Sequence, residues 1–189
     1  MRTGNAPLLA PAAAAAAAAV LAVAATAADL RPFFGAYVGR AVESGPGGRA
    51  GEERDIDLVI RPGDAGELVI GWTNVTLVGG RRDVPGVKRR VDEVRLAPVP
   101  NRDLYLARAA YDPFSERHTP DPLAGDPLRW AAVEGDAIRT YSLAILDDGG
   151  YELQTYARSL TPDGVALDWR RVVDGELVRR MTGHAVRAD

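Results

Sequence analysis

Short runs in which apolar and polar residues alternate recur along most of this 189-residue chain, and glycine, proline or aspartate bounds each run. The clearest pair is 138–146 and 151–160, which the turn residues 147–150 separate. Alternation with a period of two is typical of β-strands, and a short turn between two such strands predicts an antiparallel hairpin. The pattern therefore predicts a meander in which neighbours in sequence are neighbours in space.

The runs predict about ten strands and no amphipathic helix. They lie near residues 34–44, 54–61, 66–77, 87–97, 103–110, 128–134, 137–146, 151–160, 165–173 and 176–187. A sheet of this width with one apolar face must curl or close, because open edges invite aggregation. We therefore predict an all-β fold, a single antiparallel up-and-down barrel of about 8–10 strands, with a two-sheet β-sandwich as the alternative.

The first 28 residues differ in composition from the rest. Alanine dominates from Ala12 to Ala25, Arg2 precedes that run, and the small residues Ala25-Thr26-Ala27-Ala28 end it. These are the marks of an export signal with small-residue cleavage positions. We expect residues 1–28 to be a signal peptide and 29–189 to be one β-barrel domain. A retained membrane anchor is the alternative, which the weak hydrophobicity of alanine disfavours.

Composition restricts where the protein works and what it meets. The chain has no cysteine, which excludes disulfides and a lipid-modified N-terminal cysteine, so we expect a periplasmic or secreted monomer. The formal net charge of −3 predicts no nucleic-acid partner. One basic cluster offers a contact to anionic lipid or polysaccharide of the cell envelope, and a solvated hairpin end is the alternative. It comprises Arg81, Arg82, Lys88, Arg89 and Arg90.

The segment Phe34-Gly35-Ala36-Tyr37-Val38-Gly39 resembles the Gly-x-Trp element that opens barrels of the calycin superfamily, the lipocalins and fatty-acid-binding proteins, with tyrosine replacing tryptophan. The resemblance implies that Tyr37 plugs the barrel base and that an arginine of the last strand, Arg179 or Arg180, lies across it. The alternative is that Gly35 and Gly39 mark a bend and that Tyr37 is an ordinary core residue.

The interior of a small barrel is the default binding site. Period two places Gln154, Tyr156 and Arg158 on one face of their strand, and Trp169 and Arg171 on one face of theirs. Resemblance to fatty-acid-binding barrels implies that an arginine and a tyrosine there clamp a carboxylate. The alternative is that these arginines face solvent. The candidate ligand-binding residues are Tyr37, Trp72, Gln154, Tyr156, Arg158, Trp169, Arg171 and His184.

Catalytic and cofactor sites have weaker support. Ser115, His118 and Asp121 supply the residue types of a hydrolytic triad, but they share one proline-rich connection and lack a nucleophile elbow. His184, with the opening Gly-x-Tyr-x-Gly, is similar to the pattern of nitrobindin-type haem barrels, and a plain strand-face histidine is the alternative. Without cysteine or paired histidines we expect no metal and no cofactor.

We therefore predict an exported, non-catalytic barrel that binds a small apolar or amphipathic ligand in its interior. The alternative is an envelope structural or protein-interaction module with a packed core. A haem-binding or hydrolytic protein is the third hypothesis.

Overall fold

The computed structural model describes residues 28–45, 50–107 and 120–188. Ten antiparallel strands form a closed barrel in which each strand pairs with its sequence neighbours and the first pairs with the last. They are β1 Gly35–Ser44, β2 Ala50–Pro62, β3 Leu68–Thr76, β4 Arg89–Pro98, β5 Leu104–Ala107, β6 Leu128–Glu134, β7 Ala137–Ile145, β8 Tyr151–Leu160, β9 Gly164–Val173 and β10 Glu176–Ala188. The predicted all-β up-and-down barrel is confirmed, and the sandwich alternative is not adopted.

Three short 3-10 helices lie outside the strands, at Arg31–Phe33, Asp64–Gly66 and Pro122–Ala124. In the part of the chain that the structure describes, no helix is long and apolar enough to cross a membrane. The predicted signal peptide, except its last residue, lies outside the described residues. So do Ser115 and His118 of the hydrolytic hypothesis.

The turns alternate between two ends of the barrel. We call the end that holds residues 28–34 the base and the opposite end the mouth. Because inward side chains recur at every second position, each strand contributes apolar residues to a core that fills the base half. The members exposed by 2% or less are Phe33, Tyr37, Ala41, Leu58, Ile60, Leu68, Ile70, Leu96, Ala131, Ile138, Val165 and Ala185.

Tyr37 closes the base, and the arginine that lies across it is Arg187. The guanidinium carbon of Arg187 is 4.9 Å from the Tyr37 ring centroid, and its Nη2 donates to the Tyr37 hydroxyl oxygen at 3.0 Å. The expectation of Arg179 or Arg180 is wrong, because the register pairs Tyr37 with Arg187 and places Arg180 beside Ser44 near the mouth.

Gly39 is required where β1 meets β10 and the barrel closes. A Cβ at Gly39 would lie 2.1 Å from the carbonyl oxygen of His184 and 2.4 Å from the Cα of Ala185. Only glycine lets the two strands approach this closely. The Gly39 position therefore reflects backbone packing at the seam between β1 and β10.

Candidate functional site: a cation-rich cavity at the mouth

The barrel interior changes character halfway along its length. The inward residues of β8, from base to mouth, are Leu160, Arg158, Tyr156, Gln154 and Glu152. The inward residues of β3 and β9 become more polar in the same direction. Near the base they are apolar, and towards the mouth they are a tryptophan and then an amide or an arginine. The base half is therefore a solid core, and the mouth half is lined by aromatic and polar side chains.

Two adjoining cavities occupy the mouth. The mouth cavity, of about 350 Å³, is lined by Glu43, Arg54, Trp72, Asn74, Arg90, Glu152, Gln154, Tyr156, Trp169, Arg171, Arg179 and Met181. The rim cavity, of about 550 Å³, is lined by Glu43, Gly45, Gly51, Glu52, Arg54, Asn74, Thr76, Lys88, Arg89, Arg90 and Arg179. Ligand pockets of roughly 300–1,000 Å³ are typical of proteins that bind small molecules. The mouth half of the interior thus has room for a small ligand.

Three aromatic rings form one wall of the mouth cavity. The ring centroids of Trp72 and Tyr156 are 5.9 Å apart, and those of Tyr156 and Trp169 are 6.2 Å apart, each pair at an interplanar angle of 41°. We call Trp72, Tyr156 and Trp169 the aromatic trio. Aromatic faces at these separations attract one another and offer a flat apolar surface to a ligand.

Gln154 fixes the orientation of two members of the trio. Its Oε1 accepts hydrogen bonds from the Tyr156 hydroxyl at 2.6 Å and from Trp169 Nε1 at 3.2 Å. Its Nε2 donates to Glu152 Oε1 at 2.5 Å. One amide therefore holds both rings and connects them to the charged groups nearer the mouth.

Arg171 is neutralised by Glu152. Glu152 Oε2 accepts from Arg171 Nε at 2.7 Å and from Arg171 Nη2 at 2.5 Å. Burial raises the pKa of Glu152, but the hydrogen bonds from Arg171 and Gln154 outweigh burial and leave that pKa below its usual value. The Glu152 carboxylate is thus ionised near neutral pH, and its contact with Arg171 leaves that arginine little unbalanced charge to offer a ligand.

Arg158 is a buried cation below the mouth cavity, in a pocket of about 50 Å³ that we call the cavity floor because it shares the aromatic trio with the mouth cavity. The residue is 4% exposed, and its Nη1 donates to Thr140 Oγ1 at 2.9 Å. Its guanidinium carbon lies 5.9 Å from the Trp72 ring centroid and 5.7 Å from that of Tyr156. Among residues 28–45, 50–107 and 120–188, no carboxylate pairs with it. Burial lowers the pKa of Arg158 to about 10, so the group still carries its charge at neutral pH.

The rim holds further cations. Glu43, whose side chain is 11% exposed, contacts Arg54 Nη2 at 2.7 Å and Arg179 Nε at 3.2 Å. Four arginines but only two carboxylates line the mouth cavity. The rim cavity adds the cations Lys88 and Arg89 and one further carboxylate, Glu52, so the cations still outnumber the carboxylates. Although the whole chain is net acidic, its mouth is therefore an electropositive funnel.

Six of the eight predicted ligand-binding residues surround the mouth cavity or its floor: Trp72, Gln154, Tyr156, Arg158, Trp169 and Arg171. Tyr37 is not with them, because it lies in the core at the base. Sequence analysis did not select as ligand-binding residues Glu43, Arg54, Asn74, Arg90, Glu152, Arg179 or Thr140. It named Arg90 only in the basic cluster and Arg179 only as a candidate for the arginine across Tyr37. The signal was present for some, since Asn74 follows Trp72 at a spacing of two and Glu152 precedes Gln154 at the same spacing.

His184 is also outside the cavity. The next residue in β10, Ala185, is fully buried and faces inward. Because neighbouring residues of a strand face opposite sides, the His184 ring lies on the outer face of β10. Its Nε2 is 3.1 Å from Thr161 Oγ1 and 3.2 Å from Asp163 Oδ1. The histidine that the haem hypothesis needs inside the barrel is therefore outside it.

The basic cluster predicted from the sequence is divided by ion pairs. Arg81 contacts Asp83 at 3.1 Å, and Arg82 contacts Asp57 at 3.3 Å. Lys88, Arg89 and Arg90 instead line the rim cavity. Within the described ranges no group of three histidine or acidic side chains could hold a metal ion.

Fold and cavity together define a closed up-and-down β-barrel with one solid end and one cation-rich, hollow end. No family model matches the chain, and no curated protein matches it significantly. Among solved structures the chain is similar to the crystal structure of Rv2717c from M. tuberculosis, with a TM-score of 0.51 and 14% sequence identity. The match covers 85% of this chain and 95% of that chain. At this identity the likeness shows the barrel fold alone.

Proposed function

We propose that this protein is an exported, non-catalytic barrel that binds a small amphipathic anion in its mouth cavity. The acidic group of the ligand lies on Arg158, and its flat apolar body lies against the aromatic trio. The observation that carries the proposal is a buried guanidinium with which no carboxylate of the described residues pairs. It lies in a small pocket that shares the aromatic trio with the mouth cavity.

The energetics of burial favour an anionic ligand. A charged group removed from water is costly unless it is paired, and the Thr140 hydroxyl and two ring faces compensate Arg158 only in part. A carboxylate would supply two charge-assisted hydrogen bonds to the same guanidinium. A carboxylic acid is therefore the kind of ligand that would gain the most binding free energy from contact with Arg158.

Cavity shape restricts the size of the ligand. The pocket beside Arg158 has a volume of only about 50 Å³, and the core below it is closed. A long acyl chain has no space beneath Arg158, so the apolar body must stay within the mouth cavity. We infer a ligand with a ring-sized apolar part, unlike the extended chains of fatty acids.

The charged groups of the cavity fit binding better than catalysis. General acid–base chemistry needs a group whose pKa lies near the working pH. Glu152 is held ionised by Arg171, and Glu43 contacts Arg54 and Arg179. Burial raises the pKa of the Tyr156 phenol, and the other polar groups that line the cavity are arginines and amides. The electropositive funnel would instead raise the local concentration of an anion and speed its entry.

Export is supported by the leader composition and by the absence of cysteine. A ligand in the periplasm or outside the cell would meet the barrel mouth directly. The proposal therefore places an acid-binding protein outside the cytoplasm.

The test is a ligand titration followed by native mass spectrometry and tryptophan fluorescence. The probes are an aryl carboxylic acid, its methyl ester and a C16 fatty acid. We expect the aryl acid to bind and to change the emission of the trio, and the uncharged ester to bind at least tenfold more weakly. Equal binding of acid and ester, or tighter binding of the C16 acid, would contradict the proposal.

The packed base half favours a second candidate, an envelope interaction module that uses only its surface. If no probe binds and a pull-down with the mature protein retrieves an envelope protein through the basic rim, this second candidate replaces the first.

A further inference from the structure

Residues 28–34 are built into the base of the barrel, and we call them the base plug. Leu30 and Phe33 are 9% and 1% exposed and belong to the core, and Ala28 packs against that core. The plug residues Arg31–Phe33 form a 3-10 helix that covers the barrel end. Ala28, one residue before the predicted domain boundary, is therefore already in contact with the core.

The C-terminal part of the plug is held by its carbonyl groups. Arg187 Nη2 donates to the Pro32 carbonyl oxygen at 2.8 Å, and Arg187 Nη1 donates to that of Phe34. The Tyr37 hydroxyl donates to the carbonyl oxygen of Phe33 at 2.6 Å. Three carbonyl groups of the plug thus have partners from β1 and β10.

The N-terminal part is held by one contact. The backbone nitrogen of Ala28 donates to Asp103 Oδ1 at 2.7 Å. Asp103 lies in the turn between β4 and β5, which is also at the base end of the barrel. A distance of 2.7 Å is within the range of charge-assisted hydrogen bonds between an ammonium group and a carboxylate.

The sequence immediately before Ala28 is Ala25-Thr26-Ala27. Small residues at the first and third positions before a cut are what leader peptidases require. We propose that the leader is removed between Ala27 and Ala28, and that the new α-ammonium group of Ala28 forms an ion pair with Asp103 that fastens the base plug. The inference rests on the proposed export.

The reaction is hydrolysis of one peptide bond. Water adds across the Ala27–Ala28 bond, the carboxylate leaves with Ala27, and the amine stays on Ala28. An α-amine has a pKa of about 7.7–8.0, so it is mostly protonated at neutral pH. Cleavage thus replaces an amide that has one N–H by an ammonium group that has three donors and a positive charge. This group lies at the position that contacts the Asp103 carboxylate.

The position of the cut matters to within one residue. A cut after Ala28 would place the new amine on Asp29, whose carboxylate already accepts from Arg31 Nε at 2.9 Å. It would also remove the residue whose nitrogen contacts Asp103. A cut further upstream would leave an uncharged amide at Ala28. Only the bond between Ala27 and Ala28 gives a cation facing Asp103.

The first experiment expresses the full chain in an export-competent bacterium and measures the intact mass of the exported protein. We expect a chain that begins at Ala28. A different first residue on the exported protein would overturn the inference while leaving export intact. Retention of the whole leader in the cytosol would overturn export itself, whereas ligand binding by the barrel is tested separately by titration.

The second experiment uses protein produced directly with Ala28 as its first residue. We compare free and acetylated amines, each with Asp103 or Asp103→Asn, and follow amide hydrogen exchange at Phe33 and Phe34. We expect either single change to speed exchange roughly two- to fivefold, as suits an exposed ion pair, and the two together to add nothing more. Additive effects, or none, would overturn the ion pair.

Asp136→Asn is the matched control for Asp103→Asn. Asp136 is an exposed aspartate in the turn between β6 and β7, at the same end of the barrel. It should leave exchange at Phe33 and Phe34 unchanged with either amine. An equal effect of Asp136→Asn would attribute the result to net charge and would also overturn the ion pair.

Discussion

Arg158 lies against Tyr156 at the level where the solid half of the barrel ends, with its guanidinium carbon 5.7 Å from the Tyr156 ring centroid. The two side chains point inward from the same strand at a spacing of two. Burial raises the pKa of the Tyr156 hydroxyl and lowers that of Arg158. The floor of the cavity is therefore a neutral phenol beside a cation, an arrangement that selects for an acid.

We expect Arg158→Met to abolish binding of the aryl acid while leaving the ligand-free protein as stable as before, or more stable by about 1 kcal/mol. The physical reason is that methionine fills similar space without the cost of an unpaired buried charge. Urea unfolding and ligand titration measure the two effects. Arg170→Met, an exposed arginine on the outer face of β9, is the control and should change neither. A loss above about 2 kcal/mol would make Arg158 a structural residue.

The Glu152–Arg171 pair predicts a pH dependence of stability. The pKa of Glu152 is lowered on folding, so the pair stabilises the folded state above the usual carboxyl pKa near 4.5. That stabilisation is lost as the pH falls through the lower, folded value. Glu152→Gln should therefore destabilise the protein at pH 6 by up to about 1 kcal/mol and have a smaller effect at pH 3. Urea unfolding at both pH values measures the difference. An effect that is larger at pH 3 would contradict the prediction.

Tyr37→Phe should destabilise the protein by about 1–2 kcal/mol, because the lost hydroxyl donates to the Phe33 carbonyl and accepts from Arg187 in a buried site. Thermal or urea unfolding checks the value. Tyr151→Phe changes a more exposed tyrosine and should stay within about 0.5 kcal/mol of the parent. Equal effects of the two substitutions would mean that the Tyr37 hydroxyl has no special role at the base.

Gly39→Ala should cost more than about 2 kcal/mol, since the new methyl group would overlap the backbone of β10 at the barrel seam. Gly71→Ala is the matched control in the middle of β3, where the nearest heavy atom to a new Cβ is 3.8 Å away. It should be tolerated within about 1 kcal/mol. Urea unfolding of both variants decides, and a Gly39→Ala protein as stable as Gly71→Ala would contradict the close approach of β1 and β10.

Strand periodicity predicted the barrel and much of the site because it is a local signal. On β8 the spacing of Gln154, Tyr156 and Arg158 was enough to place all three on one face. Periodicity does not show how far along the barrel a residue lies, so it could not separate Tyr37 at the base from Trp72 at the mouth. The position of a residue between base and mouth depends on the register between strands, and that register pairs residues that are far apart in sequence.

The last strand shows the same limit more sharply. In β10 the outward Val186 is 41% exposed, whereas the charged Arg187 reaches inward over Tyr37. Hydropathy alone therefore assigns the wrong faces here. His184 was considered an inward ligand because of the similarity to nitrobindin-type haem barrels, and a short motif does not show which face of the strand the histidine occupies. Only the pairing of β10 with β1 identifies Arg187 as the residue across Tyr37.

The core that stabilises the fold lies mainly in the base half of the ten strands, and the cavity proposed to bind a ligand lies in their mouth half. Met181 belongs to the core and Trp72 and Trp169 pack against it, although all three line the mouth cavity. Other lining positions, such as Asn74 and Arg90, lie outside the core, so these side chains can change without loosening the closed end. A barrel divided in this way can acquire new ligand preferences by substitutions in its mouth half, while the core of its base half continues to stabilise the fold.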